Sequence, residues 1–116
     1  MTAQPASLAM VFFRVGDVRF AIEASAVTAM LPMQPDIPAF ATVMELTPGS
    51  APRRVLSLRS AGGVQSYVVE EPVETGDLAV QSIHPLPGLL AARLRIPQIR
   101  ALAWDDQGLT VLVALS

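Results

Sequence analysis

The sequence predicts a mainly β, barrel-like protein, and three observations carry that prediction. Apolar residues alternate with polar ones at a period of two, the spacing of a strand with one buried face. The alternating segments come in pairs joined by short Gly-containing turns, as antiparallel hairpins require. Helical periodicity is confined to short stretches, so the strand–helix alternation of a parallel sheet is missing. The chain of 116 residues is 52% hydrophobic and 16% charged, apolar enough for a core and too apolar for disorder. One domain over residues 1–116 is expected, with a flexible N-terminus over 1–7.

Each element follows from local chemistry. Met10–Val15 and Val18–Glu23 flank Gly16-Asp17, a two-residue turn in which Gly supplies the unusual φ. In the second run Val18, Phe20 and Ile22 alternate with Arg19, Ala21 and Glu23. Ser25 as a cap, the alanines that follow and Pro32 as a stop predict a helix of about two turns over 25–31. Val27, Met30 and Leu31 would lie along one stripe of it. Pro32, Pro35 and Pro38 keep the next segment extended. "FATVMEL" (40–46) then reads as a short strand, and "TPGSAP" (47–52) as a loop. "RRVLSLRS" (53–60) and "VQSYVVEEPVE" (64–74) form a second hairpin through "AGG". Asp77 is placed to cap a turn of helix, and "HPLP" (84–87) is a rigid corner. The chain closes as two strands around "DDQG", with Gly108 in the turn. The count is six or seven strands and two short helical pieces.

Composition removes several function classes. Cysteine is absent, which excludes disulfides, thiolate metal sites and Cys nucleophiles. The formal charge is −2, and Arg53–Arg54 is the only basic doublet, so there is no electrostatic footprint for nucleic acid. No apolar run approaches the roughly 18 residues that cross a bilayer. His84 is the single imidazole and reads as a turn residue before Pro85, and no Ser stands in a G-x-S-x-G context, so a hydrolase triad has one candidate base and no nucleophile elbow. Glu70 and Glu71 are neighbours on a strand and point to opposite faces, so with Glu74 they read as a solvated strand end rather than an acid–base pair. The glycines of "RSAGG" and "TPGS" lack the capped helix or Lys of a phosphate cradle. A non-enzyme without metal or cofactor is expected.

Beyond these readings, "FFRVGDVRFAIEASAVTAML" resembles the opening of the CheW-like domain of bacterial chemosensory coupling proteins and kinase regulatory domains. The resemblance rests on Phe12, Gly16, Asp17, Phe20, Ile22, Glu23, Val27 and Met30. "RRVLSLRSAGGVQSYVVEEPVETGDLAVQSIHPLP" is similar to the family's strand, Gly turn, strand and closing Ile-x-Pro-x-Pro, and "IRALAWDDQGLTVLVAL" to its last hairpin. The chain departs from the pattern at "ATVMELTPGSAP", where the family carries a strand pair with an Asn-Leu-Arg-Gly turn, and Ala29 stands where Glu is frequent. In this shortness it resembles the reduced coupling proteins of the myxobacterial Frz system.

The resemblance implies two small β-barrel lobes, the first reduced by a missing strand pair. It implies a cytoplasmic, non-catalytic adaptor that binds the cytoplasmic signalling domain of a chemoreceptor (a methyl-accepting chemotaxis protein) in an apolar groove between the lobes. The family's kinase surface lies on the first lobe, so histidine-kinase binding is expected to be lost or weakened. Direct membrane insertion is not implied. Val27, Met30 and Leu31 are candidates for one wall of the groove, with Val68, Val69 and Val73 opposite; each also reads as core. The alternative is a structural or inhibitory array component that pairs with itself or with other CheW-like proteins through an exposed sheet edge. A third class, a small-molecule-binding barrel, would be revealed by stabilisation on ligand binding.

Overall fold

The computed structural model describes residues 6–86, 98–105 and 108–114. Strands β1 (Ser7–Val15) and β2 (Val18–Glu23) form the first hairpin, in register from Met10↔Glu23 to Val15↔Val18. Gly16 takes φ +59° in the turn, a conformation that favours glycine. Over Met10–Phe13 and Phe20–Ile22 both strands are buried on both faces. Val11, Phe13, Val15, Phe20 and Ile22 enter one core, while Met10, Phe12 and Ala21 enter a second. This is why "MVFF" (10–13) is continuously apolar: a strand segment sandwiched between two cores has no solvent face.

The remaining strands are β3 (Val27–Pro32), β4 (Arg53–Ser60), β5 (Gly63–Ala79), β6 (Ile83–Pro85), β7 (Ile99–Asp105) and β8 (Gly108–Val113). They assemble as one sheet in the order β3-β4-β5-β1-β2-β8-β7-β6. The pairings are antiparallel except β2–β8, where Phe20 meets Val111 and Ala21 meets Leu112. Among the described residues the sheet stays open, with β3 and β6 at its ends. The first core adds Leu56, Leu58, Val69 and Val113; the second adds Leu78, Ala101, Ala103 and Leu112. The result is two β lobes that share β1 and β2.

Three local expectations are corrected. The stretch 25–31 is not a helix: a 3-10 turn, Ala24–Ala26, leads into strand β3. Pairing with β4, from Val27↔Leu58 to Pro32↔Arg54, outweighs the helical preference of Ala26 and Ala29, and β-branched Val27 and Thr28 suit the strand. Conversely, the expected strand at 40–46 contains helix α1 (Phe40–Val43). Phe40, Ala41 and Met44 fall on one side of that turn and are all buried. Glu45 at φ +56° ends it, with the Leu46 N–H donating to the Ala41 carbonyl at 2.8 Å. Asp77 caps nothing; it lies in β5 opposite Ala9, and a 3-10 turn forms just after, at Val80–Ser82. The predicted hairpins 53–74 and 99–113 are present, with eight strands in all among the described residues. At the N-terminus, Ala6 accepts a hydrogen bond from the Val80 N–H at 3.0 Å and Ser7 pairs with Ala79, so both are held. "GLLAARL" and the central "DQ" of the last turn lie outside the described residues.

The loop 47–52 is tied down by a residue that the sequence assigned to solvent. Glu70 is only 5% exposed. Its carboxylate accepts the Gly16 N–H at 3.2 Å on both oxygens and the Gly49 N–H at 2.9 Å. The Pro52 carbonyl accepts the Glu71 N–H at 2.8 Å on the loop's far side. One anion thus joins the β1–β2 turn, the loop and β5. Of the other two acids, Glu71 is half-buried and ion-paired with Arg54, and Glu74 is exposed. Gly49 has no room for a side chain: a Cβ there would lie 2.5 Å from Glu70 Oε1 and 3.2 Å from Gly16 Cα. Gly49→Ala is therefore expected to cost about 1–3 kcal/mol, measured by urea denaturation, because the added methyl must displace the carboxylate from its donors.

Candidate functional site

A partner protein can use only the apolar side chains that folding leaves accessible. The parallel β2–β8 pair carries the sheet from the first lobe into the second, and a trough lies beside it. Val18 and Phe20 of β2, Met44 and Leu46 at the end of α1, Ile99 of β7 and Val111 of β8 line a depression of about 200 Å³. Phe20 and Met44 are its buried floor; Val18, Leu46, Ile99 and Val111 are half-buried around it. All six are apolar. On the same face of the β7–β8 hairpin, Leu102 stands opposite Val111 and Trp104 opposite Leu109. Trp104 and Leu109 are 66% and 46% exposed, so the trough continues outward as a strip of accessible apolar side chains.

The residues singled out in the sequence lie elsewhere. They do not face one another across a cleft; β3, β4 and β5 are neighbours in one sheet. Cross-strand partners share a face, and the register puts Met30 with Leu56, and Leu31 with Val55 and Val68 on the reverse face. Val68 and Val69 are buried, while Val27 and Val73 are half-buried against the first core. Met30 is the accessible member at 39% exposure. With Pro32, Met33, Arg53, Arg54 and Glu71 it lines a depression of about 270 Å³, whose wall is fixed by the Arg54–Glu71 ion pair. This margin sits on β3, an end strand of the described sheet.

The trough was hidden in the sequence because it joins residues more than 90 positions apart, whose alternation marks them only as core. Its one local signal is the Trp104/Leu109 pair flanking an acid-Gly turn, where apolar residues have no core to enter. His84 is exposed on β6 opposite Leu102. Among the described residues no group of three or more His, Cys, Asp or Glu is placed to hold a metal ion, and no helix is long and apolar enough to cross a membrane.

Two β lobes built on the shared strands β1 and β2, with an apolar trough beside the β2–β8 pair, are the features to set against solved structures. The particular likeness is to the crystal structure of the scaffolding protein TtCheW from Thermoanaerobacter tengcongensis. The match has a TM-score of 0.73 and covers 97% of this chain and 90% of that one at 14% identity. The chain therefore has the CheW fold, and about a tenth of TtCheW has no counterpart in it. No family model matches the sequence, and no curated protein matches it.

Proposed function

We propose that this chain is a non-catalytic adaptor of a bacterial chemosensory array, working in the cytoplasm, that seats the helical tip of a chemoreceptor signalling domain in the trough beside its β2–β8 pair. The observation that carries this reading is the trough itself: an all-apolar depression beside the β2–β8 pair, extended by an exposed Trp. An amphipathic helix buries its apolar stripe in such a groove, and an exposed Trp beside a pocket is the residue type that dominates binding energy. The fold shared with a scaffolding protein supports the same reading. Direct passage from Leu46 to Arg53 through the loop pinned by Glu70 supports the weakened grip on the kinase, since the family's additional strand pair would enter there.

Calorimetry against a chemoreceptor signalling domain and a kinase regulatory domain tests both parts. Binding to the receptor domain is expected, with binding to the kinase domain at least about tenfold weaker than that of a full-length coupling protein. Leu46→Asp, half-buried at the rim, should weaken receptor binding about 10- to 100-fold. Met30→Asp probes the accessible part of the set read from the sequence, with Val27, Leu31 and Val73 around it. Loss with Met30→Asp alone would move the dock to the β3 margin and overturn the trough assignment.

A second reading is favoured by one observation. β3 ends the described sheet, with exposed Met30 and Met33 beside it and no Lys in the chain to block pairing. Self-association through that edge would make the protein a structural or inhibitory array component. Sedimentation of the protein alone separates the two: a stable dimer abolished by Met30→Asp supports edge pairing.

A further inference from the structure

The β1–β2 hairpin carries an arrangement that neither lobe needs for its core. Arg14 and Arg19 are direct cross-strand partners on one face, and like charges placed so repel each other. Two arginines at a strand end ordinarily splay into water, but Arg19 is held. Its Nη1 donates to Thr110 Oγ1 at 3.1 Å, Thr110 is fully buried, and the guanidinium carbon lies 4.1 Å from the centroid of the Phe12 ring. Among the described residues neither Arg14 nor Arg19 has a carboxylate within ion-pairing distance, although Arg54 does. Both line a pocket of about 200 Å³ with Phe12, Phe13, Pro72 and Glu74.

We propose that this pocket binds a single carboxylate group between Arg14 and Arg19. A guanidinium presents five N–H donors in a planar fork that matches a carboxylate, and Thr110 takes up one nitrogen of Arg19, leaving the rest of the fork for a ligand. An anion between the two arginines turns their repulsion into attraction. Glu74, across the pocket, sets the charge of the ligand: two guanidiniums against one carboxylate leave a net positive site suited to a monoanion and unfavourable to a dianion. Phe12 beneath Arg19 excludes water from one side of the site and strengthens the contact. The site lies on the β1–β5 side of the hairpin, uses none of the trough residues and is independent of receptor docking.

The test follows the arginine Nε–H resonances of the full chain by NMR during titration with sodium acetate, with sodium chloride at equal ionic strength as control. Saturable shifts of Arg14 and Arg19 with acetate and none with chloride are expected. Arg14→Gln, at an exposed position that leaves the fold unstrained, should weaken acetate binding by about tenfold or more. An acetylated, amidated five-residue peptide with a central Glu, set against its Gln counterpart, identifies the source. Binding tighter than acetate and dependent on Glu assigns a partner's acidic side chain, whereas binding no tighter than acetate assigns a free small carboxylate. Linear shifts, equal shifts with chloride, or inorganic phosphate binding more tightly than acetate at pH 7 would overturn the proposal.

Discussion

Replacing Glu70 with Ala should lower the unfolding free energy by about 2–4 kcal/mol, seen as a fall in the urea midpoint at unchanged slope. The carboxylate accepts from two backbone N–H groups that belong to different segments, Gly16 in the first turn and Gly49 in the loop. Hydrogen bonds to an ionised group contribute more than neutral ones, and their loss leaves partly buried donors without a partner. Glu70→Gln keeps one acceptor oxygen but presents an NH₂ that cannot accept, so about half of that loss is expected. Amide exchange at Gly49 should accelerate in both variants, since the loop loses its anchor. A midpoint within experimental error of wild type for Glu70→Ala would show that water satisfies these donors equally well.

Phe40→Ala should be the most damaging single core change, costing about 3–5 kcal/mol. Phe40 is fully buried and touches three aromatic rings, with centroids 5.1 Å from Phe13, 5.6 Å from Phe20 and 5.8 Å from Tyr67, all edge-on. Edge-to-face pairs contribute beyond the buried area, and truncation leaves a cavity that the β1–β2 and β5 strands cannot close. A domain with stability of roughly 5–15 kcal/mol then unfolds readily. Thermal denaturation with near-ultraviolet circular dichroism reports both the loss and the broken aromatic cluster. A cost below about 1 kcal/mol would mean that α1 is peripheral to the first core.

These residues also show where sequence reading succeeded. The hairpins at 10–23, 53–74 and 99–113 were legible because period-two alternation and Gly turns are local properties, set within a few residues. Stretches 25–31 and 40–46 were exchanged, helix for strand and strand for helix, for a shared reason. Each is about a turn or two long, so its own propensity is worth little beside the β4 partner that claims Val27–Pro32 or the aromatic pocket that claims Phe40. Of the six expected groove residues, Val68 and Val69 proved to be core, because a valine on a strand looks the same in sequence whether its face is covered or open.

The sequence by itself determined the class of fold: enough apolar alternation for a mainly β protein, with no nucleophile elbow, thiol or basic track. Tertiary structure alone decided which acid is buried and which apolar residues stay accessible. Glu70 and Glu71 are adjacent and chemically equivalent, yet one gathers the N–H groups of two distant glycines while the other pairs with Arg54 nearer the surface. The trough unites Val18, Leu46, Ile99 and Val111 only because β8 runs parallel beside β2. Burial depends on what packs against a residue from far along the chain, and no local pattern encodes that.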